Sequence, residues 1–333
     1  VRPFRYFVVS TVFFIAANAD SMNSAPIERP RALPPSLYGH AGDPAVLISA
    51  AYTYWLANED GLATGISSVT SSSSITQGTT YYPNSGAFSG FKVALGTILP
   101  HDAWELSAEF TYFVADRSFT GQNILAGVTN STWTGDESLT ALSSQWDNWL
   151  YRGDVDLRYT FFVGNYLSLT TLGGLASIFG DQTLTINQTP ILSSGSGTIN
   201  TTQWSWGVGP HVAMESDFAF YGTDRNQFSF FFQGGGALLL SQFRNTQQET
   251  ASSTTFILNA ITFHSDIPLL ETMFGIRWHS FIDGRDAASF LVELGWEEQV
   301  LLGYNRMNPA ASALVPPGNY WMYGLTARAR IGF

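Results

Sequence analysis

The chain of 333 residues contains no cysteine and only one lysine, Lys92. The first absence excludes a disulfide framework, a thiol nucleophile and any zinc site built on cysteine. The second, with Asp and Glu outnumbering Lys and Arg 26 to 15, leaves no basic patch for a phosphate backbone, so nucleic acid is excluded as a partner. Charged residues are only 12%, against 45% apolar and 15% aromatic, which is the reverse of a disordered composition. Beyond the N-terminus no stretch approaches the ~20 unbroken apolar residues of a membrane-crossing helix. P-loop, HExxH and EF-hand patterns are missing, and GVGP at 207–210 lacks the third glycine of a dinucleotide site. His40, His101, His211 and His279 are scattered, so no metal site and no cofactor are expected.

What is present begins with VRPFRYFVVSTVFFIAANA, residues 1–19. Arg2 and Arg5 precede an apolar run, and Ala17-Asn18-Ala19 supplies small residues for cleavage. This is the pattern of a secretory signal peptide, too short to span a bilayer. Residues 20–43 are Pro-rich and read as a periplasmic lead-in.

From residue 44 onward the chain alternates apolar and polar with period two, the mark of a strand with two different faces. Ten such segments are read, over 45–57, 88–98, 103–116, 148–162, 165–180, 203–220, 227–244, 268–282, 289–301 and 319–333. The connections between them alternate short and long. Those at 99–102, 163–164, 221–226 and 283–288 are tight, and those at 58–87, 117–147, 181–202, 245–267 and 302–318 are long and polar. Outer-membrane barrels sort their loops in this way, with short periplasmic turns and long extracellular loops. The expected fold is therefore all-β, a transmembrane antiparallel β-barrel over 44–333. Ten strands are counted, and twelve to sixteen are allowed if the long connections conceal more.

The final segment, YGLTARARIGF, illustrates the pattern. Leu325, Ala327, Ala329 and Ile331 would face lipid while Arg328 and Arg330 face the lumen, and Phe333 would sit in the interfacial aromatic girdle. The same reading places Lys92, Glu105, Glu109, Arg152, Asp154, Asp156, Arg158, Glu215, Glu271, Arg277, Glu293 and Glu297 inside. Hairpin geometry brings Lys92 near Glu109, Arg277 near Glu293, and Arg328 beside Glu293. These charges brace the wall, set a field that selects ions, or do both.

Several stretches in order along the chain resemble the pore-forming major outer membrane protein family known from Legionella, with relatives in environmental chlamydiae. They are GFKVALGTILPHDAWELSAEFTYF (90–113), GDVDLRYTFFVGNYLSLTTLGGL (153–175), WGVGPHVAMES (206–216), FGIRWHSF (274–281), GWEEQVLLGYNRM (295–307) and GLTARARIGF (324–333). The resemblance implies an outer-membrane porin that barrel-assembly machinery reads through its terminal aromatic, here Phe333. It also leads one to expect arginine where His211 stands. Cysteines frequent in the chlamydial relatives are absent, so intermolecular disulfides are excluded.

The resulting expectation is a non-enzymatic outer-membrane porin of a Gram-negative cell, exported by its signal peptide. Its partners would be outer-membrane lipid, the assembly machinery and small solutes or ions, with homo-oligomerisation left open. The alternative is a structural or adhesive surface protein that a barrel merely anchors. A protease reading, using Asp154 and Asp156 with His264 and Asp266, is disfavoured because Asp154 falls mid-strand among arginines.

Overall fold

The computed structural model describes residues 46–71, 74–84, 86–99, 104–122, 128–131, 135–163, 166–190, 196–222, 226–251, 254–281, 288–307 and 318–333. The expected signal peptide and the lead-in at 20–43 lie outside the described residues. Thirteen strands are formed: β1 (Val46–Glu59), β2 (Gly65–Ser71), β3 (Ser74–Tyr81), β4 (Ala87–Ile98), β5 (Glu105–Gln122), β6 (Val128–Ser131), β7 (Gly135–Val163), β8 (Leu167–Pro190), β9 (Gly197–Gly222), β10 (Asn226–Ala251), β11 (Thr254–Phe281), β12 (Ser289–Asn305) and β13 (Gly318–Gly332). Ten of them, all but β2, β3 and β6, close into an antiparallel ring in which β1 pairs with both β4 and β13. Closure gives each strand of the ring a partner on both sides, leaving no open edge, as a bilayer demands. The small β2–β3–β6 sheet leans on β7 outside the ring. The Ser-rich stretch 67–80, which composition suggests is a flexible loop, supplies its β2–β3 hairpin.

The outward face carries an apolar band that includes Leu95, Val155, Leu175, Val212, Leu240 and Leu294, all exposed. Exposed Phe161, Phe220, Tyr221 and Phe333 edge the band at the short-turn end, and Tyr54, Trp149, Phe179 and Trp204 edge it at the other. The twelve residue steps from Trp149 to Phe161 rise about 28 Å at a tilt of ~45°, close to a hydrocarbon core. The seam closes with Val46 N–H donating to the Phe333 carbonyl at 2.9 Å and Phe333 N–H donating back at 3.1 Å.

One expectation is corrected. Much of 117–147, 181–202 and 245–267, read as long polar loops, continues the strands: β7 begins at Gly135, β8 runs to Pro190, and β10 and β11 extend to Ala251 and from Thr254. The alternation persists there with its polarity reversed. Gln145, Asp181, Arg244 and Asp266 face outward and are exposed, while Leu142, Trp146, Leu184, Ile186, Ile199 and Phe243 point inward and are buried. Within the bilayer the barrel is apolar outside and polar inside. Above it, where water surrounds the wall, it is built like a soluble barrel.

Candidate functional site

The lumen is layered. At the short-turn end, around a cavity of about 140 Å³, stand charged residues of β5, β7, β9, β11, β12 and β13. Arg277 is the hub. Its guanidinium reaches Asp217 at 2.5 Å, Glu215 at 2.6 Å and Glu293 at 2.6 Å, and lies 4.8 Å from the Phe231 ring centroid. Arg328 contacts Glu109 at 2.8 Å and Glu293 at 3.7 Å, and Arg330 approaches Glu105 only to 3.8 Å. Side-chain exposure falls from 22–23% at the Arg330–Glu105 pair to 5% at Glu293, so water reaches this tier from the turn end.

The middle tier is tighter and encloses about 40 Å³. Lys92 contacts Glu297 at 2.5 Å and Glu109 at 3.6 Å. Glu297 also accepts from Thr326 at 2.8 Å and Gln299 at 2.8 Å, and Trp55 donates to Thr326 at 3.1 Å. Arg152 bridges Asp154 (2.9 Å) and Glu271 (2.5 Å). The two ring nitrogens of His211 each lie 2.9 Å from a carboxylate oxygen, one on Asp156 and one on Glu271. Where the resemblance leads one to expect arginine, imidazole thus ties β9 to both β7 and β11.

The outer tier is an apolar plug, not the polar interior that the expected porin would have. Trp146, Phe243, Tyr304 and Tyr320 are at most 1% exposed and pack ring to ring: Trp146–Tyr320 at 6.1 Å, Tyr304–Tyr320 at 5.8 Å and Phe243–Tyr304 at 5.9 Å. Burying each such ring contributes roughly 1.5–3 kcal/mol. The device that seats Tyr304 is local. The β12–β13 register breaks between Leu301 and Asn305, and Gly303 sits at φ +67°, a conformation that favours glycine. The chain then turns in as a strap. Tyr304 Oη meets Ser205 Oγ of β9 at 2.7 Å, in space that a side chain at Gly180 of β8 would fill. Gln203 donates to the Tyr304 carbonyl (3.0 Å) and accepts from Arg306 N–H (2.7 Å). Arg306 donates to Ser265 of β11 at 3.0 Å, and its carbonyl accepts from Asn245 of β10. Residues 303–307, expected within a surface loop, therefore turn into the lumen and bind the inner faces of β9, β10 and β11.

A polar group sits inside this plug, above the apolar band. Both carboxyl oxygens of Glu59 are buried without a hydrogen-bond partner of standard geometry among the described residues. Burial pushes the carboxyl well above the usual carboxylate range, partly offset by Gln182 and by the charge on Arg117. Arg117 is itself buried, donates to Asn58 at 3.1 Å and lies 5.4 Å from the Trp146 ring centroid. Burial lowers its pKa from the usual arginine range.

The structure thus places all fourteen lumen candidates inward. Lys92, Glu105, Glu109, Arg152, Asp154, Asp156, Glu215, Glu271, Arg277, Glu293, Glu297, Arg328 and Arg330 join ion pairs, whereas Arg158 makes no ion pair within 4.0 Å among the described residues. Lys92 stands opposite Thr111 and reaches Glu109 diagonally, while Arg277 and Glu293 are directly opposite, as are Glu293 and Arg328. Asp217, Glu59 and Arg117 escape the sequence reading. Asp217 lies close to an irregularity in the β9–β10 pairing, and the other two lie in the zone of reversed polarity. His264 and Asp266 face outward on β11 and Asp154 and Asp156 face inward, so they build no rim cluster.

The family model described as "Legionella pneumophila major outer membrane protein precursor" matches residues 45–331. The chain belongs to that family. It is an outer-membrane β-barrel protein. Among solved structures it is similar to the outer membrane protease OmpT from Escherichia coli, at 10% identity over 87% of this chain and 96% of that one, with a TM-score of 0.44. It is also similar to a Pseudomonas aeruginosa FadL homologue, at 6% identity over 90% and 92%, with a TM-score of 0.28. A TodX monoaromatic hydrocarbon channel mutant is matched at 7% identity over 93% and 94%, with a TM-score of 0.28. Among curated proteins, nothing matches. Neither protease nor hydrocarbon-channel activity passes to this chain on likenesses of that size.

Proposed function

We propose that the barrel is a narrow passive channel for small polar solutes and ions, shut at its outer end in the conformation described. One observation carries this reading: a cavity of about 140 Å³, lined by charged side chains and reached by water from the turn end, lies inside the membrane-level wall. An anchor needs no such space, since small barrels are filled by side chains. The apolar plug and the strap then act as a gate, because a dry constriction stops ions without any charge. Transport needs no covalent step and no cofactor.

A second reading is a surface scaffold anchored by the barrel. The observation favouring it is the sealed outer tier on strands that rise far above the apolar band, β7 by the fourteen residue steps from Gly135 to Trp149, on the order of 30 Å. Single-channel recording on refolded protein separates the two. Wild type should show brief, small openings, and Tyr304→Ala, which removes the ring from beside Gly180, should lengthen or enlarge them. Silence from both proteins, each with the heat-modifiable gel mobility of a folded barrel, would leave the scaffold reading.

A further inference from the structure

The inner cavity holds an imbalance that wall bracing does not explain. Lys92, Arg152, Arg277, Arg328 and Arg330 each have a carboxylate within 4.0 Å. Arg158 has none among the described residues, although Glu105 is directly opposite it in the β5–β7 register. Its Nε is buried without an acceptor, and its side chain lines the cavity. On β9 and β12 the imbalance has the other sign. Glu215, Asp217 and Glu293 all contact the guanidinium of Arg277; Glu293 has a second cation in Arg328 at 3.7 Å, whereas Glu215 and Asp217 have no other cation within 4.0 Å among the described residues.

A planar guanidinium held part-way out of water gains most from a carboxylate that takes two of its N–H groups at once. A cluster with surplus carboxylate gains from an ammonium group. Thr160 and Thr170, hydrogen-bonded to each other at 2.8 Å, and Ser229 add hydroxyls to the lining. The volume is close to that of a cavity of ~150 Å³ that holds benzene, a ligand of six heavy atoms, which is the scale of a small amino acid. A simple anion would satisfy Arg158 but would face the surplus carboxylates, and a simple cation would leave Arg158 unpaired.

We infer that this cavity binds a small zwitterion of the amino-acid class, its carboxylate on Arg158 and its ammonium group beside Glu215 and Asp217. The inference deepens the channel reading and rests on it for the solute's route from the turn end. Isothermal titration of the refolded barrel with glycine, sodium acetate and methylammonium chloride at constant ionic strength tests it. Glycine should bind at least tenfold more tightly than either ion. Arg158→Gln should weaken glycine at least tenfold, Arg158→Lys should restore part of the loss, and Glu215→Gln with Asp217→Asn should weaken glycine while sparing acetate. Arg158 has no carboxylate within 4.0 Å among the described residues, only the longer-range charges of Glu105, Glu215 and Glu109, and gel mobility checks that its variants fold. Acetate binding as tightly as glycine, or Arg158→Gln binding glycine like wild type, overturns the inference, as does an absence of glycine binding to wild type. Conductance measured on the same preparation keeps the two readings apart. A conducting barrel that ignores glycine loses the site and remains a channel. A silent barrel that binds glycine through Arg158 keeps the site and loses the channel.

Discussion

Replacing Arg277 by methionine should be among the most damaging single changes in the wall. The stem length is kept and only the charged head is removed, leaving Asp217, Glu215 and Glu293 facing one another where contacts of 2.5–2.6 Å had been. These side chains are only 5–13% exposed, so bulk water does not screen them as it would on a surface. Removing one partner from a buried pair costs about 3–5 kcal/mol. Proton uptake and cavity water limit the added effect of three carboxylates over one, so the same range is expected here. Arg330→Met is the control. Its partner Glu105 is 3.8 Å away, both side chains are 22–23% exposed, and the expected loss is about 0–1 kcal/mol. Adding Glu215→Gln and Asp217→Asn to Arg277→Met should recover much of the loss. Urea unfolding in lipid vesicles, followed by tryptophan fluorescence and gel mobility, measures all of these. If Arg277→Met costs no more than Arg330→Met, the hub is hydrated and the layered account of the lumen is wrong.

Three further outcomes are expected. Because burial holds the folded pKa of Glu59 well above its ordinary 4.5, the folded barrel binds a proton that the unfolded chain releases. Stability should therefore fall as pH rises from the ordinary carboxylate range through the folded pKa and then level off, and Glu59→Gln should remove that slope in unfolding measured against pH. Ending the chain at Gly332 deletes both seam hydrogen bonds between Val46 and Phe333, so it should reduce membrane-inserted protein far more than deleting residues 67–80, which lie outside the ring. Cell fractionation measures that difference, and equal losses would contradict it. Changing Arg328 and Arg330 together to alanine uncovers Glu109 and Glu105, so reversal potential under a salt gradient should move toward cation preference. An unchanged potential in a conducting barrel would place the ion path elsewhere.

The ring was legible because lipid enforces a strict rule on the wall. Leu325, Ala327, Ala329 and Ile331 alternate with Arg328 and Arg330 because one face meets acyl chains and the other a polar lumen, so each of the ten segments declared itself. The pairs Arg277–Glu293 and Glu293–Arg328 followed from hairpin register alone. The outer third was not legible for a related reason. Trp146 and Leu142 alternate with Gln145 and Asp147 as regularly as any membrane segment, but the faces have exchanged roles, and period two does not say which face is inside. Against the Thr, Ser and Asn of those stretches, the pattern reads as polar loop. The strap was hidden differently. Nothing in GYNRM signals a turn into the lumen, because its partners Gln203, Ser205, Asn245 and Ser265 come from three other strands.

The two polarity regimes bear on how such a barrel could open. A membrane-level wall is held by lipid outside and by ion pairs inside, and moving it would break contacts such as Arg152–Glu271 and His211–Asp156 at the same time. The outer tier has no such constraint. Tyr304 is held by one hydroxyl contact, by the hydrogen bond from Gln203 to its carbonyl, by aromatic packing and by a bulge whose geometry depends on Gly303. Displacing the strap would cost ring burial and a few hydrogen bonds, a much smaller change than distorting ten paired strands. If the channel opens, the movement therefore belongs to residues 303–307 and not to the wall. The buried carboxyl of Glu59, directly across from Tyr320 in the β1–β13 register, lies in the tier that such a movement would disturb.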